Sequence, residues 1–428
     1  MAAAPRSQKT ELEIGIGKDG LPVGRLGHVT NGTREYSSFS YDERWLNSAT
    51  RFSVSPDLAL VHGPQMRKPA ATDDSGVFGA LADTAPGAWA RRVIARTHAA
   101  ARQLAPELKA LTELDLLCSV DDFSRVGALR VRRAGANPLA STAQGLRATA
   151  GFDMLERLAE ATRALELGDE TTQDLIALKG AGTSLGGARP KCSLLDADGR
   201  LALAKFASSR DVRSVPRGEV LAMQLARRAG IDTADAHLLT IHGMPLAMVR
   251  RFDRTAEHRR IPYLSAATML QARAGDDHAW TELVDAINTR CVAAKADAQQ
   301  LWRRLVFHHL IGNVDQHKAG FLYARNGLWR LAPAFDLNPD PDRPRETRTW
   351  LSEESGPSTS IKTLCEQASR FYLDRADALA VLAEVHGAVR GWRELALGAD
   401  IGMSASEADA FAPAFEHSEM EAALALPG

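Results

Sequence analysis

The densest chemistry in the chain lies in residues 305–339, LVFHHLIGNVDQHKAGFLYARNGLWRLAPAFDLNP. Phe321–Ala324 and Leu328–Leu331 read as short strands, and Asn326-Gly327 between them is the two-residue turn that closes a β-hairpin. A hairpin brings its open ends together. Asp315 stands just before the first strand and Asp336 just after the second, so both carboxylates are expected at one end. Two such acids repel unless a cation or a shared proton lies between them. Phosphoryl transfer needs this arrangement: one Asp orients the attacking hydroxyl and accepts its proton, and the other holds Mg²⁺ against the phosphates. A single Asp in a loop is more often a cap or turn former. The hairpin-linked pair is what points to chemistry.

A second set lies upstream, in residues 181–219. Ala181–Ala188 is a loop of small residues with Gly186 and Gly187, whose backbone N–H groups could face a phosphate, although such loops are frequent. Lys205 sits in the apolar strand pattern Leu201–Phe206, where a cation wants an anionic partner. Glu219, early in the next helix, could pair with it across strand–helix packing. A Lys–Glu pair on phosphates is the protein-kinase arrangement. Alone, Lys205 could equally be an edge-strand lysine reaching for solvent, and Glu219 an acid favoured near a helix N-terminus. Loop, strand Lys, helix Glu, then Asp and Asp in that order is harder to obtain by accident.

These residues need a scaffold. The turn Asp196-Ala197-Asp198-Gly199 joins strand patterns at Lys191–Leu195 and Arg200–Phe206. Ser214, Pro216 and Gly230 bracket a helix running to Ala229. Residues 1 to about 145 are mixed and strand-rich, with strand patterns at Glu13–Ile16, Pro22–Leu26 and Ala128–Val131 and a helix over Ala85–Ala101. Ala134–Thr142 is a linker pattern, and Phe152–Leu167 has helical periodicity. Past Asp253 the chain is expected to be mainly helical, ending in an acidic, Ala-rich tail that predicts a short peripheral helix.

The 428 residues carry 52 Lys+Arg against 53 Asp+Glu, a formal charge of −1, so no bulk positive field announces nucleic acid. The basic runs Arg91-Arg92, Arg130–Arg133, His258–Arg260 and Arg343–Arg348 are explained as well by solvated faces. Cys118, Cys192, Cys291 and Cys365 are far apart with no CxxC pair, which fits reduced, packed thiols better than a disulfide framework or zinc site. No signal-like or membrane-length apolar stretch is seen. A cytoplasmic location with no membrane contact is the expectation.

At this point the chain resembles the HipA-like serine/threonine kinases, toxin components of bacterial HipBA-type toxin–antitoxin modules. The resemblance runs from about residue 20 to 395. It is carried by Leu21–Leu26 (LPVGRL), Leu117–Arg130 (LCSVDDFSRVGALR), Gly186–Lys191 (GGARPK), Val249–Arg254 (VRRFDR), Ile311–His317 (IGNVDQH) and Ala332–Pro339 (APAFDLNP). It implies an α+β, two-lobed protein-kinase-like fold with an extra N-terminal subdomain (residues 1–145). A strand-rich N-lobe with the Gly-rich loop and ATP lysine (146–255) and a mainly helical catalytic C-lobe (256–428) would follow. On this resemblance Asp315 is the catalytic base, Asp336 the Mg²⁺ ligand and Lys205 the ATP-phosphate lysine, with Glu219, Gly186 and Gly187 completing the nucleotide site. Arg250 and Phe252 belong to the segment that passes the adenine. Ser184 matches a loop serine that some members autophosphorylate. The implied partners are a helix-turn-helix, HipB-like antitoxin, operator DNA mainly through that antitoxin, and a protein substrate such as an aminoacyl-tRNA synthetase.

One position departs from the pattern. The family places a metal-ligand Asn five residues after the catalytic Asp, and here that residue is Gly320. Asn313 and His317 are near in sequence but not in the matching slot. Mg²⁺ held by Asp336, waters and ATP oxygens alone would still be compatible with its chemistry. An active kinase with weaker metal binding, an ATP-binding pseudokinase acting with an antitoxin repressor, and a small-molecule kinase all remain open on the sequence.

Overall fold

The computed structural model describes residues 8–31, 34–69, 76–137, 145, 149–182, 186–273, 276–314, 319–342, 349–356 and 360–426. The chain divides into two compact units, one of residues 1–202 and 253–275, the other of residues 203–252 and 276–428. Asp315 and Ser184 both lie outside the described residues, as do His317 and the basic run 343–348.

The first unit is built on an antiparallel sheet of five strands in the order β4-β3-β2-β1-β5: β1 (Gln8–Ile16), β2 (Leu21–Asn31), β3 (Arg34–Tyr41), β4 (Gln65–Arg67) and β5 (Leu129–Arg133). Alternation decides which face is inside. Leu12, Ile14, Val23, Leu26 and Phe39 are fully buried, while Glu11, Glu13 and Arg25 between them point away. Helices α1 (Ala88–Leu104), α2 (Glu113–Ser119), α3 (Leu155–Leu167) and α4 (Thr172–Ala181) follow, with strands β6 (Lys191–Leu195) and β10 (Tyr263–Ser265). α4 carries a capping box, Thr171 Oγ1 accepting from Asp174 N and Asp174 accepting in return from Thr171 N. The Asp196–Arg200 turn closes as its sequence predicts: Gly199 takes φ +73°, and Asp196 Oδ1 accepts from Asp198 N and Arg200 N.

Within the basic runs of this unit, Arg130 and Arg260 have buried side chains, while Arg92, Arg133 and Arg259 are exposed. Arg130 is 2% exposed and donates through Nε (3.0 Å) to Asp122, and Arg260 Nη2 donates 2.6 Å to the carbonyl of Asp122. Arg91 forms a two-pronged pair with Glu113. Burial forces the Arg130 and Arg260 guanidiniums to find acceptors inside.

The second unit holds β7 (Leu201–Phe206, entered from the first unit), β8 (Ala236–Ile241) and β9 (Met244–Arg250), with β9 between the other two. Helix α5 (Val215–Arg228) has Pro216 in its first turn, and Gly230 at φ +72° follows its last. The remaining long helices are α6 (Trp280–Arg290), α7 (Ala294–Leu310), α8 (Arg375–Arg390), α9 (Ala405–Phe415) and α10 (Ser418–Ala425). The expected hairpin is present as β11 (Gly320–Arg325) and β12 (Leu328–Leu331), with Asn326 and Gly327 both at positive φ as its turn requires.

The tail is not peripheral. α9 and α10 bury Ala408, Phe411, Ala414, Phe415 and Met420. Phe411 lies so close to α5 that a Cβ on Gly218 would fall 2.8 Å from its ring, and Phe415 stacks on Trp392 at 4.6 Å. Each buried Phe is worth about 1.5–3 kcal/mol over an exposed one. The acidic composition hid these apolar positions, which recur at helical spacing.

α10 is also tied down through charge. Glu419 accepts from His309 Nε2 at 2.8 Å and from Ile361 N at 2.7 Å. These bonds, His309 foremost, hold its carboxyl well down at about 2. A carboxylate depressed on folding stabilises above its ordinary value, and that contribution is lost as pH falls from about 4.5 towards 2. Glu419→Gln should therefore lower Tm at neutral pH, and the gap to wild type should narrow at pH about 3. A gap of constant size across that range in thermal melts would contradict the assignment.

Candidate active site

Lys205, next to the last residue of β7, is the centre of the site in the second unit. Its neighbours Leu203, Ala204 and Phe206 are buried, and its own side chain is 12% exposed. It does not reach for solvent. The ammonium donates to Glu219 Oε1 and, at 2.8 Å, to Asp336 Oδ1. Burial alone would push the lysine pKa down. The carboxylates of Asp336 and Glu219 more than offset it, and the pKa is raised, so Lys205 stays charged throughout the physiological range.

Each partner is placed by its own element. Glu219 projects from the first turns of α5 on the face that also buries Val220, Met223 and Ala226, and its side chain is only 3% exposed. Asp336 follows β12. Ala332 N donates to Gly320 O at 2.8 Å across the hairpin, and Ala334 exchanges backbone bonds with Asp232 and Ala234. Those bonds deliver the next two residues at a fixed height. Asp336 itself takes φ +58°, a left-handed conformation costly for a non-glycine residue. Such strain persists only where its surroundings impose it, and here Asn338 Nδ2 donates to both the carbonyl and Oδ1 of Asp336, at 3.2 Å each.

The other expected site residues fall in several places. Phe252 contacts Phe335, the residue before Asp336, with ring centroids 5.4 Å apart. Arg250 ends β9 and pairs with Asp235 at 3.2 Å. Gly186 and Gly187 belong to the first unit, where Lys191 Nζ donates 2.7 Å to Gly186 O and Trp89 N donates 3.1 Å to Gly187 O. Gly87 packs against this loop so closely that a Cβ there would lie 2.5 Å from Gly186 Cα.

Asn313 is committed elsewhere: it is buried, with Nδ2 2.7 Å from His308 Nδ1. Burial, then the charge of Arg304, pushes His308 down to about 3, so a neutral ring accepts that bond. His308, Arg304, Trp280, Phe335 and Leu337 line a small pocket behind the turn that carries Asp336. Asn338 and His308 were not singled out from the sequence. For Asn338 the available signal was an Asn before Pro, two residues after a candidate acid.

Chemically, the site offers a fixed cation flanked by two carboxylates, with a carboxylate and a carboxamide side by side at one edge. Oxygen donors of that type suit a hard divalent ion, and a charged lysine suits phosphate oxygens.

Residues 183–392 match the HipA-like C-terminal domain, and residues 19–132 match the HipA N-terminal domain. The chain belongs to the HipA-like family. The HipA protein of Shewanella oneidensis MR-1, solved with HipB and its operator DNA, superposes with a TM-score of 0.66 at 16% identity, covering 97% of this chain and 98% of that one. The fold is accordingly that of HipA, mixed α/β, strand-rich toward the N-terminus and helical toward the C-terminus. The Sinorhizobium fredii protein Y4dM is 30% identical over 156 residues, which span 30% of this chain and 35% of that relative. Among the described residues no helix of this HipA-like chain is long and apolar enough to cross a membrane.

Proposed function

We propose that this HipA-like chain is an ATP-dependent protein serine/threonine kinase and the toxin of a type II toxin–antitoxin module. The observation that carries the reading is Lys205, buried and held between Glu219 and Asp336. In this reading Glu219 fixes the ammonium, and Lys205 turns from Asp336 to the phosphate oxygens when nucleotide enters. Asp336 and its neighbouring oxygens are where Mg²⁺ would sit, and bound there it would neutralise charge on the phosphates. Asp315 would accept the proton of the attacking hydroxyl. The family resemblance extends the reading to a HipB-like antitoxin that links the complex to operator DNA, to a cytoplasmic setting, and to a translation protein such as an aminoacyl-tRNA synthetase as substrate.

The test is intact-mass analysis of the purified chain before and after ATP and Mg²⁺, with Ser184 as the expected acceptor, together with transfer of labelled γ-phosphate to added protein. Wild type should gain phosphate and Asp315→Asn should not. Expression of wild type, but not of that variant, should arrest growth, and co-expressed antitoxin should relieve the arrest. Gly320 favours a second reading, an ATP-binding pseudokinase. Nucleotide bound with no transfer under Mg²⁺ or Mn²⁺ would select it.

A further inference from the structure

We infer that Asn338 supplies, through its side-chain carbonyl, the protein ligand for the divalent ion that residue 320 cannot supply. The inference rests on the kinase reading and identifies where that site finds its second oxygen.

Gly320 opens β11 and is buried, and its carbonyl is engaged by Ala332 N. The backbone is therefore in place with no side chain to offer. Asn338 Nδ2 lies 3.2 Å from Asp336 Oδ1. Adjacent oxygens of an octahedral Mg²⁺ shell, with bonds of about 2.0–2.1 Å, stand about 2.9 Å apart. The Asn338 amide is thus already at nearly the separation of two neighbouring ligands. Half a turn about its last torsion exchanges Nδ2 for Oδ1 without moving the backbone. Beside a bare carboxylate the amino end is favoured, because it donates. Beside a cation shared with that carboxylate the carbonyl end is favoured.

The frame is rigid enough to make the proximity specific. Leu337, between the two residues, is 2% exposed, Asp336 is locked at positive φ, and Pro339 bars helical backbone at Asn338. Both donors ride on one short turn, and Asp336 Oδ1, beside Asn338, is also the oxygen that Lys205 holds until nucleotide draws it away.

The experiment titrates Mn²⁺ onto the full-length protein with a non-hydrolysable ATP analogue and counts free ion by its EPR signal. A parallel arm measures binding of a fluorescent ATP analogue to wild type in EDTA. Asn338→Ala should weaken Mn²⁺ binding by about 10–100-fold, the scale seen when a metal site loses a supporting group. Asn338→Asp should bind Mn²⁺ close to wild type, while melting lower than wild type in EDTA because two carboxylates then face each other. Gly320→Asn added to Asn338→Ala should restore part of the affinity. Equal weakening by Asn338→Ala and Asn338→Asp would mean that Asn338 only pins the turn, and would overturn the inference. So would wild-type affinity in Asn338→Ala alongside its loss in Asp336→Asn. Both results leave the kinase reading standing. Failure of wild type to bind nucleotide in EDTA removes that reading and this one together, and shows in the wild-type arm.

Discussion

Lys205→Met should abolish detectable phosphoryl transfer and, separately, cost about 3–5 kcal/mol of stability, the scale for removing one partner from a buried ion pair. The two losses have different origins. Transfer fails because no fixed cation remains where charge develops on the phosphates, an effect worth roughly 10²–10³ in rate for a single preorganised donor. Stability falls because Glu219, 3% exposed, and Asp336, 19% exposed, are left facing one another without the ammonium between them. Methionine keeps the stem packed against β7, so the loss is electrostatic and not a cavity effect. The double variant Lys205→Met/Glu219→Gln should recover part of the stability but none of the transfer, because it removes one of the stranded charges without replacing the cation. Urea denaturation of wild type, Lys205→Met, Glu219→Gln and the double variant closes the cycle. A single variant within 1 kcal/mol of wild type, or a double variant less stable than the single, would rule out the buried trio.

The Lys205–Glu219 pairing was legible in the chain, whereas the contact of Asp336 with Lys205 was not, since the hairpin reading set Asp336 against Asp315. Lys205 announced itself as a cation in an apolar strand, and Glu219 as an acid in the first turns of the following helix. The hairpin followed from Asn326-Gly327, a pair that tolerates two positive φ values, and with it came the location of Asp336. What the sequence withheld is what depends on tertiary neighbours. Nothing local marks Asp336 for a left-handed backbone, or Asn338 as the residue that holds it there. Their contact exists because Ala334 is anchored to Asp232 and Ala234, about a hundred residues upstream. The same holds for the tail: Phe411 and Phe415 read as apolar punctuation in an acidic segment until Gly218 opens a space for one ring and Trp392 a platform for the other. Charge runs misled for a related reason. Arg130 and Arg260 look like surface until Asp122 is brought against them.

That last point carries the second large effect. The motifs at 117–130 and 249–254 resemble the family, and most of their charged residues belong to the first unit, whereas Lys205 belongs to the second. Arg254 is 2% exposed in its side chain and donates to the carbonyls of Phe123, Arg125 and Gly127, to its neighbour's carbonyl, and to Asp253 Oδ2. Asp253 in turn accepts from Gly127 N at 2.7 Å. Arg125, fully buried, does the same for Thr84, Leu117 and Val120. Backbone carbonyls inside a fold must be satisfied, and these two guanidiniums bond seven of them. Arg254→Met should therefore cost about 3–5 kcal/mol, since it takes the guanidinium from buried Asp253 and strips the carbonyls of Phe123, Arg125 and Gly127 of a donor. Arg254→Lys should recover little, because one ammonium with three N–H bonds cannot span partners that a planar five-donor fork reaches. Thermal melts give the magnitude. Hydrogen exchange gives the place, with protection lost first in residues 121–130. Loss spread evenly over the unit, or rescue by lysine, would mean that Arg254 contributes only charge and that its fork geometry is incidental.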